Sequence, residues 1–189
     1  MKFFAHAYQN ADASSDTEFD EMQHILQIMA AHPDFQAYKN VSYEVLNLSP
    51  ADQVADLACG LGFDLPHLKD RAPEGIITGF DLSAKFLAAA QTRIDAAFGR
   101  RDPSIRFHQS DIQSIECGTD TFDAARVDRS LQHVPDPEAA ISEMLRIVKP
   151  GGIICAAEPD WGSFVISSSY PDIAEKVTRV YAQALLHPC

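Results

Sequence analysis

Val54-Ala55-Asp56-Leu57-Ala58-Cys59-Gly60-Leu61-Gly62-Phe63 is the stretch from which the rest of the chain can be read. The apolar run Gln53–Ala58 predicts a strand, and Asp64–Arg71 behind it predicts a helix that accommodates Pro66 in its first turn. Between them, Gly60 and Gly62 allow a tight turn that brings backbone N–H groups against a ligand; an ordinary strand-to-helix turn uses the same two glycines. A dinucleotide fingerprint would be Gly-x-Gly-x-x-Gly, but its third glycine position here is Leu65. Asp56, at the strand's end, suits a cationic or amine-bearing ligand better than a diphosphate.

Downstream, short apolar runs alternate with helical stretches. Strands are expected at Gly75–Phe80, Ile105–His108, Phe122–Val127 and Ile153–Ala157. Helices are expected at Ser83–Phe98, N-capped by Ser83, at Pro137–Val148, with Lys149-Pro150-Gly151-Gly152 as its stop, and at Asp172–Leu186. Such alternation predicts an α/β fold with a mostly parallel, doubly wound sheet covered by helices on both faces. Right-handed crossovers then gather the strand C-termini on one edge, where ligands bind. Upstream, Met1–Ser15 reads as a loose arm, and helices are expected at Asp16–Ala31 and Phe35–Asn47 on either side of Pro33. The organisation is therefore an N-terminal arm and helical segment over 1–48, acting as a lid or as a sheet cover, and an α/β core over 49–189.

The strand ends carry further acids. Asp81 falls about 20 residues after the glycine loop, where a carboxylate accepts from a ribose diol; it would equally serve the cap of the next helix. Asp111 follows the third strand, placed to accept from an adenine amino group with Ile112 against the ring, or simply solvated. Asp56, Asp81 and Asp111 at three successive strand tips, together with the glycine loop, form a constellation that chance seldom assembles.

Composition narrows the function classes. The 189 residues are 46% hydrophobic, enough for one domain with a sizeable core. A formal net charge of -12 argues against nucleic-acid binding and anionic membrane surfaces, leaving a small-molecule partner. Cys59, Cys117, Cys155 and Cys189 lack zinc-site spacing, which points to free thiols in a reducing cytoplasm and to no metal. No stretch reaches the ~18 apolar residues of a membrane helix.

These motifs resemble, in order and spacing, those of the class I S-adenosylmethionine-dependent methyltransferases. Val54–Gly62 is similar to their first motif, and Gly79–Ser83, Gln109–Ile112 and Phe122–Gly152 to the later ones. The likeness spans roughly Leu48–Trp161 and is greatest to the small-molecule branch that includes the ubiquinone and menaquinone biosynthesis enzymes. It implies a Rossmann-like fold and S-adenosylmethionine as methyl donor, with S-adenosylhomocysteine as product. It further implies that Asp56, Ala58, Gly60 and Gly62 surround the methionine part, Asp81 holds the ribose with Leu82 beside the adenine, and Asp111 and Ile112 bind adenine. Asp128 would lie near the amino-acid end, with Leu131 and His133 following in the cleft wall. The family's usual glycine before the cysteine is Ala58 here, and its C-terminal β-hairpin has no counterpart before Cys189. That leaves Ile153–Ala157 as an expected exposed edge, open to homodimer pairing or strand complementation.

Methyl transfer from a sulfonium chiefly requires positioning, exclusion of water and, for some acceptors, a base. His133 is the acceptor-side candidate, or else it braces the Pro135-Asp136-Pro137 turn. His6 and Tyr8 on the arm, and Asp160 after the fifth strand, are further polar candidates. Arg126 and Arg129 pair with Asp128 or meet an acidic acceptor. Glu158 and Trp161 follow the fifth strand, Trp161 stacking on a planar acceptor or packing. Two other functions compete: a non-catalytic cofactor- or partner-binding form of the same fold, and a nicotinamide-dependent oxidoreductase, disfavoured by Leu65 and Asp56.

Overall fold

The computed structural model of the chain describes residues 8–160, 163 and 168–186. A 3-10 segment over Tyr8–Ala13 leads into α1 (Asp16–Ala31) and α2 (Pro33–Val45). Then follow β1 (Gln53–Leu57), α3 (Leu65–Arg71), β2 (Ile76–Asp81), α4 (Ala84–Phe98), β3 (Ile105–Gln109), β4 (Phe122–Asp128), α5 (Pro137–Ile147), β5 (Val148–Ala157) and α6 (Pro171–Leu186).

Helix boundaries follow local chemistry. Ser15 and Glu18 form a reciprocal capping box on α1, and Pro33 ends that helix while supplying the first turn of α2. Ser83 caps α4 by accepting from Phe86 N–H at 3.1 Å, and Gly99 closes it in the left-handed region. Part of the expected loose arm is instead ordered: the Asp12 carboxylate accepts from Ser83 Oγ (2.5 Å), Ala84 N (3.0 Å) and Lys85 N (3.0 Å), tying the arm to the N-terminus of α4. Met1–Ala7 lie outside the described residues.

Among the described residues the sheet is wholly parallel, with strand order β3-β2-β1-β4-β5. Its order reverses between β1 and β4. One face packs through Leu57, Phe80, Val127, Met144 and Ile147 onto α5. The other packs through Val54, Ile77, Leu65, Ile94 and Tyr43 onto α3, α4 and α2. Among the described residues β5 is an edge, paired with β4 alone, and its Ile153, Ile154 and Cys155 are half-buried rather than open. Of α6, only Ala174 is buried among its described side chains; Ile173, Val177 and Val180 are exposed.

Lys149-Pro150-Gly151-Gly152 does not stop α5 in the way expected. The helix ends at Ile147, and β5 already begins at Val148, running through these residues with a register shift against Phe122–Ala124. Gly151 sits at φ 85°, and a Cβ on Gly152 would lie 2.4 Å from the Asp123 carbonyl oxygen, so glycines permit an irregularity that side chains would block.

Candidate active-site cleft

The C-terminal ends of β1, β2, β3 and β4 open into one cavity of about 370 Å³, at the size expected of a small-ligand site. Four loops build its floor. The first is Ala58–Leu61. Ala58 (φ 52°) and Gly60 (φ 52°) both adopt left-handed backbone, and a Cβ on Gly60 would meet nothing within 4 Å, so this turn presents bare backbone to the cavity. Gly62 lies behind the wall, where a Cβ would come within 3.2 Å of Ala90.

The second loop carries Asp81 and Leu82. Asp81 is buried, and its two oxygens accept from different backbone groups: Oδ2 from Gly60 N–H (2.8 Å) and Oδ1 from Ser83 N–H (2.9 Å). Burial pushes its carboxyl above the ordinary range, against the pull of those N–H donors. Its remaining lone pairs stay available at the cavity edge. Ser110, Asp111 and Ile112 supply the third loop, joined to the second by Ser110 N–H donating to the Asp81 carbonyl at 3.0 Å. Asp111 Oδ1 accepts from Gln113 N–H at 2.9 Å, which fixes that turn.

The fourth loop carries Asp128, Arg129 and His133. Glu158 is not on the cavity wall. Its Oε1 accepts from Ser130 N–H (2.7 Å) and Leu131 N–H (2.8 Å), so it holds the segment leading to His133. The His133 ring packs against Tyr8, with centroids 5.8 Å apart. Trp161 and His6 lie outside the described residues.

Asp56 departs most from the sequence expectation. It is buried, does not line the cavity, and faces Arg126 at 3.3 Å. Arg126, itself fully buried, places Nη1 2.9 Å from Asp64 Oδ2 and Nη2 3.1 Å from Asp128 Oδ2. The second of these is an ion-pair distance without hydrogen-bond alignment, since Nη2 has no hydrogen-bond acceptor. The guanidinium therefore draws the strand-end carboxylate inward. The three-acid constellation is thus divided: Asp81 and Asp111 reach the cleft and Asp56 serves the support behind it.

Two residues of that support also reach the wall, and neither was expected there. Asp64 accepts from Lys39 Nζ (2.7 Å) and Tyr43 Oη (2.5 Å). Lys39, from α2, also reaches Asp128 Oδ2 at 2.5 Å, and Tyr38 donates to Asp128 Oδ1 at 3.1 Å. Burial alone would raise the Asp64 carboxyl, but Arg126 and Lys39 outweigh it and hold the group near a pKa of about 2. Asp56 meets Arg126 only at 3.3 Å and has an Oδ2 without a partner, so burial, aided by the neighbouring Asp64, outweighs Arg126 and Lys39 and pushes it up to about 7. From the sequence, Asp64 looks only like a helix start, and Lys39 is a single cation among apolar neighbours.

The roof is apolar. Leu26, Met29 and Ala30 of α1 and Phe35 of α2 close one side, and Phe86 and Phe63 another. Among the described residues no group of three His, Cys, Asp or Glu side chains is arranged to hold a metal ion, and no helix is long and apolar enough to cross a membrane.

A parallel sheet with a glycine turn and strand-tip acids around one cleft defines an α/β protein of the nucleotide-cofactor-binding class. Within it, the methyltransferase domain family model matches residues 54–152, just over half of the chain, and the chain belongs to that family. A 37.1 kDa protein of uncharacterised function from a Streptomyces fradiae transposon is 34% identical over 87% of this chain and 45% of its own length. The ubiquinone/menaquinone biosynthesis C-methyltransferase of Bdellovibrio bacteriovorus is 31% identical over 57% of this chain and 44% of its own. A solved structure from Methanococcus maripaludis, titled a putative S-adenosyl-L-methionine-dependent methyltransferase, has the same fold, with a TM-score of 0.62 at 18% identity over 91% of this chain and 72% of that one. The chain spans less than half the length of the two curated relatives.

Proposed function

We propose that the cleft binds S-adenosylmethionine and that the chain directs transfer of its methyl group to a small-molecule acceptor. The observation that carries this reading is Asp81, pinned between Gly60 N–H and Ser83 N–H at the cavity edge, with Leu82 beside it and Asp111-Ile112 on the adjoining loop. A carboxylate so held is oriented before any ligand arrives, and it suits a ribose diol. Leu82 and Ile112 suit the two faces of an adenine, and Asp111 its amino group.

When bound, the donor supplies a methyl group already activated by a sulfonium charge. The protein's contribution is then placement. Ala58 and Gly60 give close backbone approach, and Asp64, held low by Arg126 and Lys39, favours a cationic ligand, with Asp128 beside it. Leu26, Met29 and Phe35 exclude water from the acceptor side, and on this reading α1 and α2 act as a lid. His133, beside Tyr8, is the group we assign to accept a proton from the acceptor where one must leave.

Calorimetry with S-adenosylmethionine, S-adenosylhomocysteine and NAD tests the reading. The two adenosyl ligands should bind, and binding of NAD alone would reverse it in favour of an oxidoreductase. Asp81→Ala should weaken S-adenosylhomocysteine binding by ~1–3 kcal/mol, the range for hydrogen bonds to a charged acceptor. Unchanged affinity removes Asp81 from the site.

A further inference from the structure

Arg129 stands apart from the other cations of the cleft. Lys39 is engaged by Asp64 and Asp128, and Arg126 by those two and Asp56. Arg129 lines the same cavity, half-buried, yet no carboxylate pairs with it among the described residues. Its neighbours are neutral: the Phe35 ring centroid lies 4.6 Å from its Cζ, Met29 Sδ lies 3.9 Å from Nη2, and the Tyr38 hydroxyl is within hydrogen-bonding reach. Its backbone is left-handed, at φ 55°, and is held there by a 2.8 Å hydrogen bond from its N–H to the Ala157 carbonyl. A non-glycine residue in that region costs roughly 1–2 kcal/mol and aims the side chain where an extended strand end would not.

We infer that Arg129 is the anion anchor of the acceptor pocket and that the acceptor is an apolar, aromatic-sized molecule carrying one carboxylate; this rests on the methyltransferase reading above. A planar guanidinium takes a carboxylate through two parallel hydrogen bonds. Phe35 already packs against the guanidinium, so little side-chain freedom is lost when the acid binds. A single cation with no carboxylate partner among the described residues, in a cleft also lined by Asp64, Asp81, Asp111 and Asp128, matches a monoanion. A phosphate dianion would need a second cation, and Lys39 is engaged. The apolar wall of Met29, Phe35, Val134 and Pro135 selects a hydrocarbon body behind the charge.

The test uses the whole chain with S-adenosylhomocysteine saturating, titrated with benzoate, trans-cinnamate, 2-naphthoate and indole-3-acetate, each beside its uncharged amide. At least one acid should bind tenfold or more tighter than its amide. Arg129→Gln should reduce that preference to twofold or less, and Arg129→Lys should restore part of it. S-adenosylhomocysteine affinity should stay within threefold in both variants. The inference is overturned if no acid binds, if amides bind as well as acids, or if the preference survives in Arg129→Gln. It is equally overturned if Arg129→Gln weakens S-adenosylhomocysteine tenfold while acid binding is unchanged, because the guanidinium would then hold the donor's own carboxylate. If S-adenosylhomocysteine fails to bind the unaltered chain, the methyltransferase reading itself falls, an outcome distinct from a missing acid preference. Should Arg129→Gln fold poorly, Arg129→Lys carries the comparison: an acid preference reduced but not abolished at intact S-adenosylhomocysteine binding supports the inference, and an unchanged preference overturns it.

Discussion

Replacing Asp56 by Asn should flatten the pH dependence of stability between pH 5 and 7. Burial raises this carboxyl from its ordinary 3.8 to about 7, so over that interval the folded chain holds a proton there that the unfolded chain has released. Stability changes with pH as 2.303RT times the protons bound by the unfolded state minus those bound by the folded state. The difference approaches minus one, so stability is full below pH 4 and falls as pH rises, by as much as about 1.4 kcal/mol per unit. Integrated from pH 5 to pH 7 between those two pKa values, the Asp56 contribution is a loss of about 2 kcal/mol. Asp81 and Glu158 are also raised by burial and act in the same direction, but they are common to both proteins and cancel in the comparison. Asn places its carbonyl toward Arg126 and its amide where Oδ2 has no partner, so the variant starts from an offset. The slope is therefore the readout. Urea unfolding at pH 5, 6 and 7 should give a variant curve flatter by about 2 kcal/mol over the interval. Parallel curves would refute the assignment of the proton to Asp56 and place it elsewhere in the Arg126 group.

Two further expectations concern the ends of the cleft. Ala58→Gly relieves a left-handed alanine, a strain of roughly 1–2 kcal/mol, while the freer unfolded glycine returns roughly 0.4–1 kcal/mol, so the urea midpoint should rise by a net gain near or below ~1 kcal/mol; a lower midpoint would mean that the Ala58 methyl packs more than it strains. Asp12→Ala removes the acceptor for Ser83, Ala84 and Lys85 and should cost about 1 kcal/mol, as lost caps do. Hydrogen bonds, first that from Ser83, hold the Asp12 carboxyl below 3.8, so its contribution is present above that pH and fades as pH falls below it; a variant difference that persists undiminished in acid argues against the cap.

The sheet was legible because its signals are local. Apolar strand runs, Ser83 before α4 and Pro137 opening α5 each fix an element without reference to anything distant. The start of β5 was not legible, because Pro150 and two glycines read as a terminator until the neighbouring Asp123 backbone shows why glycine is needed there. The cleft was legible where backbone alone decides: the ends of parallel strands bring Asp81, Asp111 and Asp128 to one edge whatever their side chains do. It was not legible where side chains choose partners across the fold. The expected pairing of Arg126 with Asp128 is present, but its further pairing with Asp56 and Asp64 is announced by nothing near those residues in sequence. Lys39 lies 25 residues from Asp64 and 89 from Asp128, a separation at which no periodicity carries information.

That pairing has a consequence for the wall itself. Five charged side chains, Lys39, Arg126, Asp56, Asp64 and Asp128, share one partly buried region. Removing a single partner from such a group leaves an uncompensated charge and is far more damaging than replacing the whole set. With Asp56 protonated, two carboxylates balance two cations, and those two are the ones that reach the cleft. Were Asp56 the ionised member, Arg126 would be shared three ways. Burial, which pushes the Asp56 carboxyl up to about 7, thus frees Arg126 toward Asp64 and Asp128, the two acids at the surface where a cationic donor would dock. Because Lys39 belongs to α2, the same balance fastens the apolar roof to the floor: an arriving positive charge competes with Lys39 for Asp64 and Asp128, and ligand binding and roof position draw on one set of ion pairs.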